Sequence, residues 1–280
     1  MGGNAINKAV RITHDEALKV LDVVYEYILP RFNIEKDSTA IIGSFDKKPI
    51  GETYGDLDIV IDKSVLLASN DLNTDEEGLI FINSILEDIG FKSVIYKGMV
   101  QVSSGIEVPD SGKIAQVDFM LSPSLEWSKF IYHSPNFRTK ESNYKGTYRN
   151  LLLAAIVTEL DKKVLKYTDD NIIEELEQTS IRLPHGIYRN IRTWKGKKGI
   201  IKHSKIIPES YKFITRDPSE VVSMLLGEKY TSKYTTSFES IWNIITSYDY
   251  KYKDKLDSII SKFIINIESK KLEVPNEINK

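Results

Sequence analysis

Apolar residues first recur at helical spacing in HDEALKVLDVVYEYILPRF, where Leu18, Leu21, Val24, Tyr25 and Ile28 mark one face. Thr13 with Glu16 three residues on gives a capping box, and Pro30 predicts the end of this helix. STAIIGSF then reads as a short strand breaking at Gly43-Ser44, and GDLDIVID as an alternating strand. DEEGLIFINSILEDIG predicts a second helix closed by Gly90. FKSVIYKG, MVQVSSGIEV and KIAQVDFML follow as strands, with PDSG as a turn. Helical patterning returns at SLEWSKFIYH and GTYRNLLLAAIVTELDKK. It returns again at DPSEVVSMLLG, SFESIWNIITS and KDKLDSIISKFIINIESKK. This order predicts an α+β fold, a mixed sheet with flanking helices, followed by a basic β-containing segment and a mostly helical C-terminal region. The break near residues 162–170 predicts two domains, 1–165 and 166–280.

Composition narrows the function classes. The 280 residues are 41% hydrophobic and 28% charged, the balance of a globular chain. The absence of cysteine excludes disulfides, thiol nucleophiles and thiolate metal sites, and fits a reducing, cytoplasmic compartment. No stretch approaches the roughly 18 apolar residues of a membrane span, and MGGNAINKAVRITHDEA lacks the apolar run of a secretory signal. The net charge of -2 conceals a local imbalance: from Arg182 to Arg216 there are ten Lys or Arg and one acid, Glu209.

The chemistry concentrates in IIGSFDKKPIGETYGDLDIVID. Asp56 and Asp58 are two apart in a strand, so they share a face, while Leu57, Ile59 and Ile61 point to the other. Asp118 lies in the strand AQVDFML between apolar neighbours. If that strand pairs beside GDLDIVID, three repelling carboxylates converge, and hard divalent ions offset such repulsion best. A cluster of this kind can hold Mg²⁺ or Mn²⁺ for in-line displacement at phosphorus. The glycine of Gly43-Ser44 lets backbone approach a ligand, and the N–H groups after it can cradle phosphate oxygens.

In this order of motifs, from Ala40 to Ala155, the chain resembles the DNA polymerase β-like nucleotidyltransferases, including some of large bacteriophages. The resemblance implies a palm-like domain in which Asp56, Asp58 and Asp118 are catalytic and hold the metals. It further implies that Gly43 and Ser44 hold the triphosphate of an NTP or dNTP. Tyr132, Lys145 and Arg149 would contact the nucleotide, and Asp118 would orient or help deprotonate the attacking hydroxyl. The chain departs from polymerase X enzymes in placing Phe45-Asp46 ahead of Lys47-Lys48, and Tyr132-His133-Ser134 where an aromatic-Gly-Ser contact is usual. The activity implied is transfer of a nucleoside monophosphate to a hydroxyl, with a nucleic-acid 3′ end as the favoured acceptor. A small molecule or protein acceptor, or an inactive nucleic-acid-binding palm, are the alternatives.

The favoured acceptor comes from the basic segment, where aromatic residues alternate with cations. Arg189, Arg192, Trp194, Lys195, Lys197 and Lys198 can neutralise phosphates and stack on unpaired bases, given one positive face. Lys145 and Arg149, four apart, predict one helix face that could clamp phosphate. Asp62 reads as a strand-end residue. His14, His185 and His203 read as surface or structural, and His133 as a possible neighbour of the nucleotide sugar.

Overall fold

The computed structural model describes residues 5–45, 48, 51–96, 100–132, 142–167, 173–197 and 200–279. Two compact units divide the chain, Met1–Lys140 and Glu141–Lys280.

The first unit begins with α1 (His14–Val23), whose capping box forms as expected: Glu16 N–H donates to Thr13 Oγ1 and Thr13 N–H to Glu16 Oε2. The buried stripe is Ala17, Val20, Leu21, Val24 and Ile28. Leu18 was expected on it, but it sits one residue, about 100° of helical rotation, past Ala17 and is 44% exposed. Pro30 does not end the winding either. A wide π turn over Val24–Ile28 passes into a 3₁₀ turn over Leu29–Phe32. Pro30 occupies the first turn of the latter, where a missing N–H costs little.

The strands are β1 (Thr39–Ile42), β2 (Leu57–Asp62), β3 (Lys92–Ile95), β4 (Val102–Glu107) and β5 (Ile114–Ser122). Their spatial order is β1-β2-β5-β4-β3, with β2 and β5 parallel and the other pairs antiparallel. Between β2 and β3 run α2 (Lys63–Ser69) and α3 (Asp75–Asp88), and α4 (Leu125–Tyr132) follows β5. Leu57, Ile59 and Ile61 of β2, Val117, Phe119 and Leu121 of β5, and Leu79, Ile82 and Leu86 of α3 build one core with α1. By strand alternation the even positions of β2 and β5 present the opposite face, the one carrying Asp58 and Asp118. The helix α4 lies against β1 and β2. Asp62 is the N-cap of α2, accepting from the Ser64 N–H at 2.9 Å.

The second unit starts earlier than the boundary expected at 165. The helix α5 (Gly146–Leu160) packs on α6 (Pro218–Leu226), α7 (Phe238–Thr246), α8 (Leu256–Ser269) and β7 (Ile173–Arg182). Its buried residues, among them Tyr148, Leu152, Leu153, Ile156, Val157 and Leu160, surround the axis, as befits a central helix. Phe238 stacks on Trp242 and Phe263 beside it. The basic segment is β structure, as its pattern predicted. Joined to β6 (Lys163–Tyr167) and β7 are β8 (Gly186–Lys197), β9 (Ile200–Ile206) and β10 (Lys212–Thr215). All pairs are antiparallel; β10 and β9 pair with successive stretches of β8.

Candidate metal and nucleotide site

Strand register brings the acids together. Asp58 pairs with Ile42 on one side and, in the parallel ladder, with Asp118 on the other. Asp56 stands just before β2 rather than within it. One carboxylate oxygen from each of Asp56, Asp58 and Asp118 lies within 4.8 Å of the other two. Such an all-oxygen donor set fits a hard divalent cation such as Mg²⁺ or Mn²⁺.

Gly43 follows β1 with φ of +76°, and a Cβ there would collide with Asp58 Oδ2. Both the left-handed backbone and the closeness of the carboxylate therefore demand glycine. The next two residues carry the turn onto an aromatic cluster. Phe45 is buried and stacks on His14 with centroids 5.3 Å apart. Tyr54 closes the cluster, its ring 5.5 Å from that of Phe45 and its hydroxyl 3.2 Å from His14 Nδ1. His14 is thus structural. Lys48 reaches back to donate to the Thr53 carbonyl at 2.7 Å and lies over the Tyr54 ring. Asp46 and Lys47 lie outside the described residues.

Asp118 is 5% exposed. Burial pushes its carboxyl above the ordinary value and the nearby Asp56 charge adds to the rise, while hydrogen bonds from Ser103, Gln116 and Gln101 oppose it. Ser103 pairs with Asp118 across β4 and β5, and Gln116 Nε2 donates to Asp118 Oδ1 at 2.9 Å. These supporting residues escaped the sequence reading. Gln116 had a signal, since it stands two before Asp118 and so shares its face. Ser103 had none, because its partner is fixed by a register that only the folded sheet sets.

Tyr132 ends α4 half-buried, and burial together with the negative charge of Asp58 pushes its hydroxyl up to about 12. Its hydroxyl therefore feels the charge of Asp58. His133 and Ser134 lie outside the described residues.

In the second unit, Lys145 is exposed at the N-cap of α5, whereas Arg149 is only 2% exposed. Arg149 Nε donates to the Thr235 carbonyl and Nη1 to Asn150 Oδ1 at 2.7 Å. The expectation of a shared open face is corrected: the helix winds Arg149 inward. Burial lowers its guanidinium to about 10. Arg189 and Arg192, three apart in β8, fall on opposite faces of the strand, so the two do not form one positive face. Arg189 approaches Asp161 at 3.3 Å. Lys198 lies outside the described residues, as do the side chains of Trp194, Lys195, Lys197 and His203. A different cluster is in view at the β8–β10 edge. The Arg182 guanidinium lies 4.7 Å from the Tyr211 ring centroid and that of Arg216 lies 4.8 Å from Phe213. Tyr188 meets both rings edge-on, and Phe213 is 50% exposed.

No family model matches the chain, and no curated protein does. Among solved structures it is similar to the Cid1 poly(U) polymerase with MgGTP bound, at 11% identity over 57% of this chain and 59% of that one, TM-score 0.30. It is also similar to Leishmania infantum polymerase beta in a ternary gap complex, at 14% identity over 53% of this chain and 47% of that one, TM-score 0.34. The chain thus spans about half to three fifths of the length of these structures. Among the described residues no helix is long and apolar enough to cross a membrane.

Proposed function

We propose that the protein is a divalent-metal-dependent nucleotidyltransferase that moves an NMP or dNMP from a nucleoside triphosphate to a hydroxyl acceptor, with a nucleic-acid 3′ end as that acceptor. The observation that carries the reading is the convergence of Asp56, Asp58 and Asp118 within 4.8 Å beside the Gly43 turn. In the reaction the acceptor oxygen bonds to the α-phosphorus, the α–β phosphoanhydride bond breaks, and pyrophosphate leaves with the electron pair. The acceptor proton passes to a carboxylate or to solvent. Asp118, whose affinity for a proton burial raises, is the residue we assign to orient the hydroxyl and receive that proton. The three acids would hold Mg²⁺ or Mn²⁺, which when bound supplies the positive charge that phosphates and carboxylates share. Gly43 and Ser44 would place the triphosphate, with Tyr132 near the nucleotide. The nucleic-acid acceptor rests on the basic strands of the second unit and their arginine–aromatic cluster.

The test is direct. The protein is incubated with Mg²⁺ or Mn²⁺, each labelled NTP and dNTP in turn, and single-stranded, duplex and tRNA-like acceptors. Label transfer with stoichiometric pyrophosphate release is expected for the wild type and not for Asp58→Ala. Failure of every nucleotide–acceptor pair, including small-molecule and protein acceptors, in a folded, metal-binding preparation would sink the proposal.

A further inference from the structure

The segment at residues 5–12 touches both pieces of chain that present the acids. Ala5 N–H donates to Gln116 Oε1 at 2.9 Å and Ile6 N–H reaches the same oxygen at 3.3 Å. The other end of that carboxamide, Nε2, donates to Asp118 Oδ1 at 2.9 Å. Val10 N–H donates to the Ile114 carbonyl at 2.8 Å, four residues before Asp118. Ile12 and Tyr54 exchange both main-chain hydrogen bonds, at 3.0 and 2.8 Å, two residues before Asp56.

Gln116 is 3% exposed, so its polar ends must be satisfied inside the protein. A carboxamide accepts at one end and donates at the other. With two main-chain donors on its oxygen, its NH₂ is forced toward Asp118. That leaves the carboxylate's orientation dependent on where residues 5 and 6 run. Ile6 is buried and Gly105 leaves room for it: a Cβ at Gly105 would come within 2.8 Å of Ile6 Cγ2. The path of the segment is therefore set by packing on β4 and β5 as well as by hydrogen bonds.

We infer that residues 5–12 form a positioning strap for the metal site, with Gln116 as the residue that transmits the strap's main-chain geometry to Asp118. The inference rests on the metal-binding reading of the three acids. Outer partners of ligating carboxylates typically govern metal affinity by about 10–100-fold. A strap that merely anchors the chain would change melting temperature and leave the affinity of the folded protein alone.

The experiment uses the full chain and Mn²⁺ alone, with free Mn²⁺ read by electron paramagnetic resonance and thermal melts taken in chelator. Gln116→Met removes the carboxamide at similar volume. Ala5→Pro removes one donor at an exposed position that does not itself touch the acids, and keeps the question open to measurement even if Gln116→Met fails to fold. Gln116→Met should weaken Mn²⁺ binding about 10–100-fold and Ala5→Pro several-fold. The double variant should be no weaker than Gln116→Met, because both act along one path. Unchanged Mn²⁺ affinity in Ala5→Pro, or effects that multiply in the double variant, would overturn the strap. A wild type that binds no Mn²⁺ would instead overturn the reading of the metal site, and the strap's role with it.

Discussion

Asp58 and Asp118 lie directly opposite one another on adjacent parallel strands, so two carboxylates meet on one face of the sheet. Their neighbours Leu57, Ile59, Val117 and Phe119 are almost fully buried on the other face. Hydrophobic burial thus holds in place a juxtaposition that electrostatics alone opposes.

The first prediction follows from that opposition. Asp58→Ala and Asp118→Asn should each bring nucleotidyl transfer below detection, while metal-free melting temperatures stay level or rise. In the wild type, Mg²⁺ at 100 times its Kd should stabilise the fold by about 2.7 kcal/mol, and neither variant should gain this. Melts with and without Mg²⁺ check it; near-full activity in Asp118→Asn would remove the third acid from the mechanism.

The raised carboxyl of Asp118 predicts a pH dependence. Its ordinary value is 3.8, and the folded value is higher, so between the two the folded state binds the extra proton. The stability this contributes is fully present below 3.8 and is lost as pH rises through the folded value. Urea unfolding in chelator should therefore show a component of stability that falls with rising pH. Asp118→Asn should abolish that component, and Mg²⁺ should offset the loss at the upper end of the window.

Much of the first unit was legible in the sequence because its signals are local. The capping box at Thr13, the alternation of GDLDIVID and the Gly-Ser break each depend on residues within a turn or two of one another. Pairing of β2 with β5 was conditional, since it joins segments some 60 residues apart. The support of Asp118 by Gln116 and the first residues of the chain lay beyond pattern reading. So did the inward turn of Arg149, which depends on what packs around α5 rather than on its own spacing.

Glycine supplies a control that separates backbone strain from site geometry. Gly43 and Gly112 both have positive φ, +76° and +65°, but only at Gly43 would a Cβ meet another side chain, that of Asp58. Gly112→Ala should cost about 1–2 kcal/mol and leave metal binding intact. Gly43→Ala should cost more and weaken Mn²⁺ affinity as well. Equal effects of the two substitutions on Mn²⁺ binding would mean that the Gly43 turn does not shape the site.

Arg149 should behave as a packing residue. Arg149→Ala strands the Thr235 carbonyl and should destabilise the protein by about 1–3 kcal/mol, with the nucleotide KM unchanged. Lys145→Ala, at an exposed position, should leave stability unchanged. Nucleotide titrations at saturating acceptor, run well below the melting transition, decide between the roles. A raised KM in Arg149→Ala at full occupancy of the folded state would return that residue to the nucleotide.

The last prediction concerns the acceptor. Phe213 is half exposed, with Arg216 over its ring and Tyr188 at its edge; Arg182 lies against Tyr211 a few residues away. Cation–π contacts at exposed sites contribute only about 0.5–1 kcal/mol, too little to account for leaving so much aromatic surface in water. Stacking an unpaired base would cover that surface, and the two guanidinium groups would sit where the strand's phosphates flank it. Phe213→Ala should then lower affinity for a labelled single strand by about 1–3 kcal/mol, with little change in salt dependence. Arg182→Ala should instead flatten the slope of log affinity against log salt by about 0.7. Trp194→Ala, in the same β8 strand, should resemble Phe213→Ala if that position also stacks. Fluorescence anisotropy at several salt concentrations measures all three. Binding that is undetectable or independent of salt would exclude a nucleic-acid acceptor and leave a small-molecule or protein hydroxyl to receive the nucleotide.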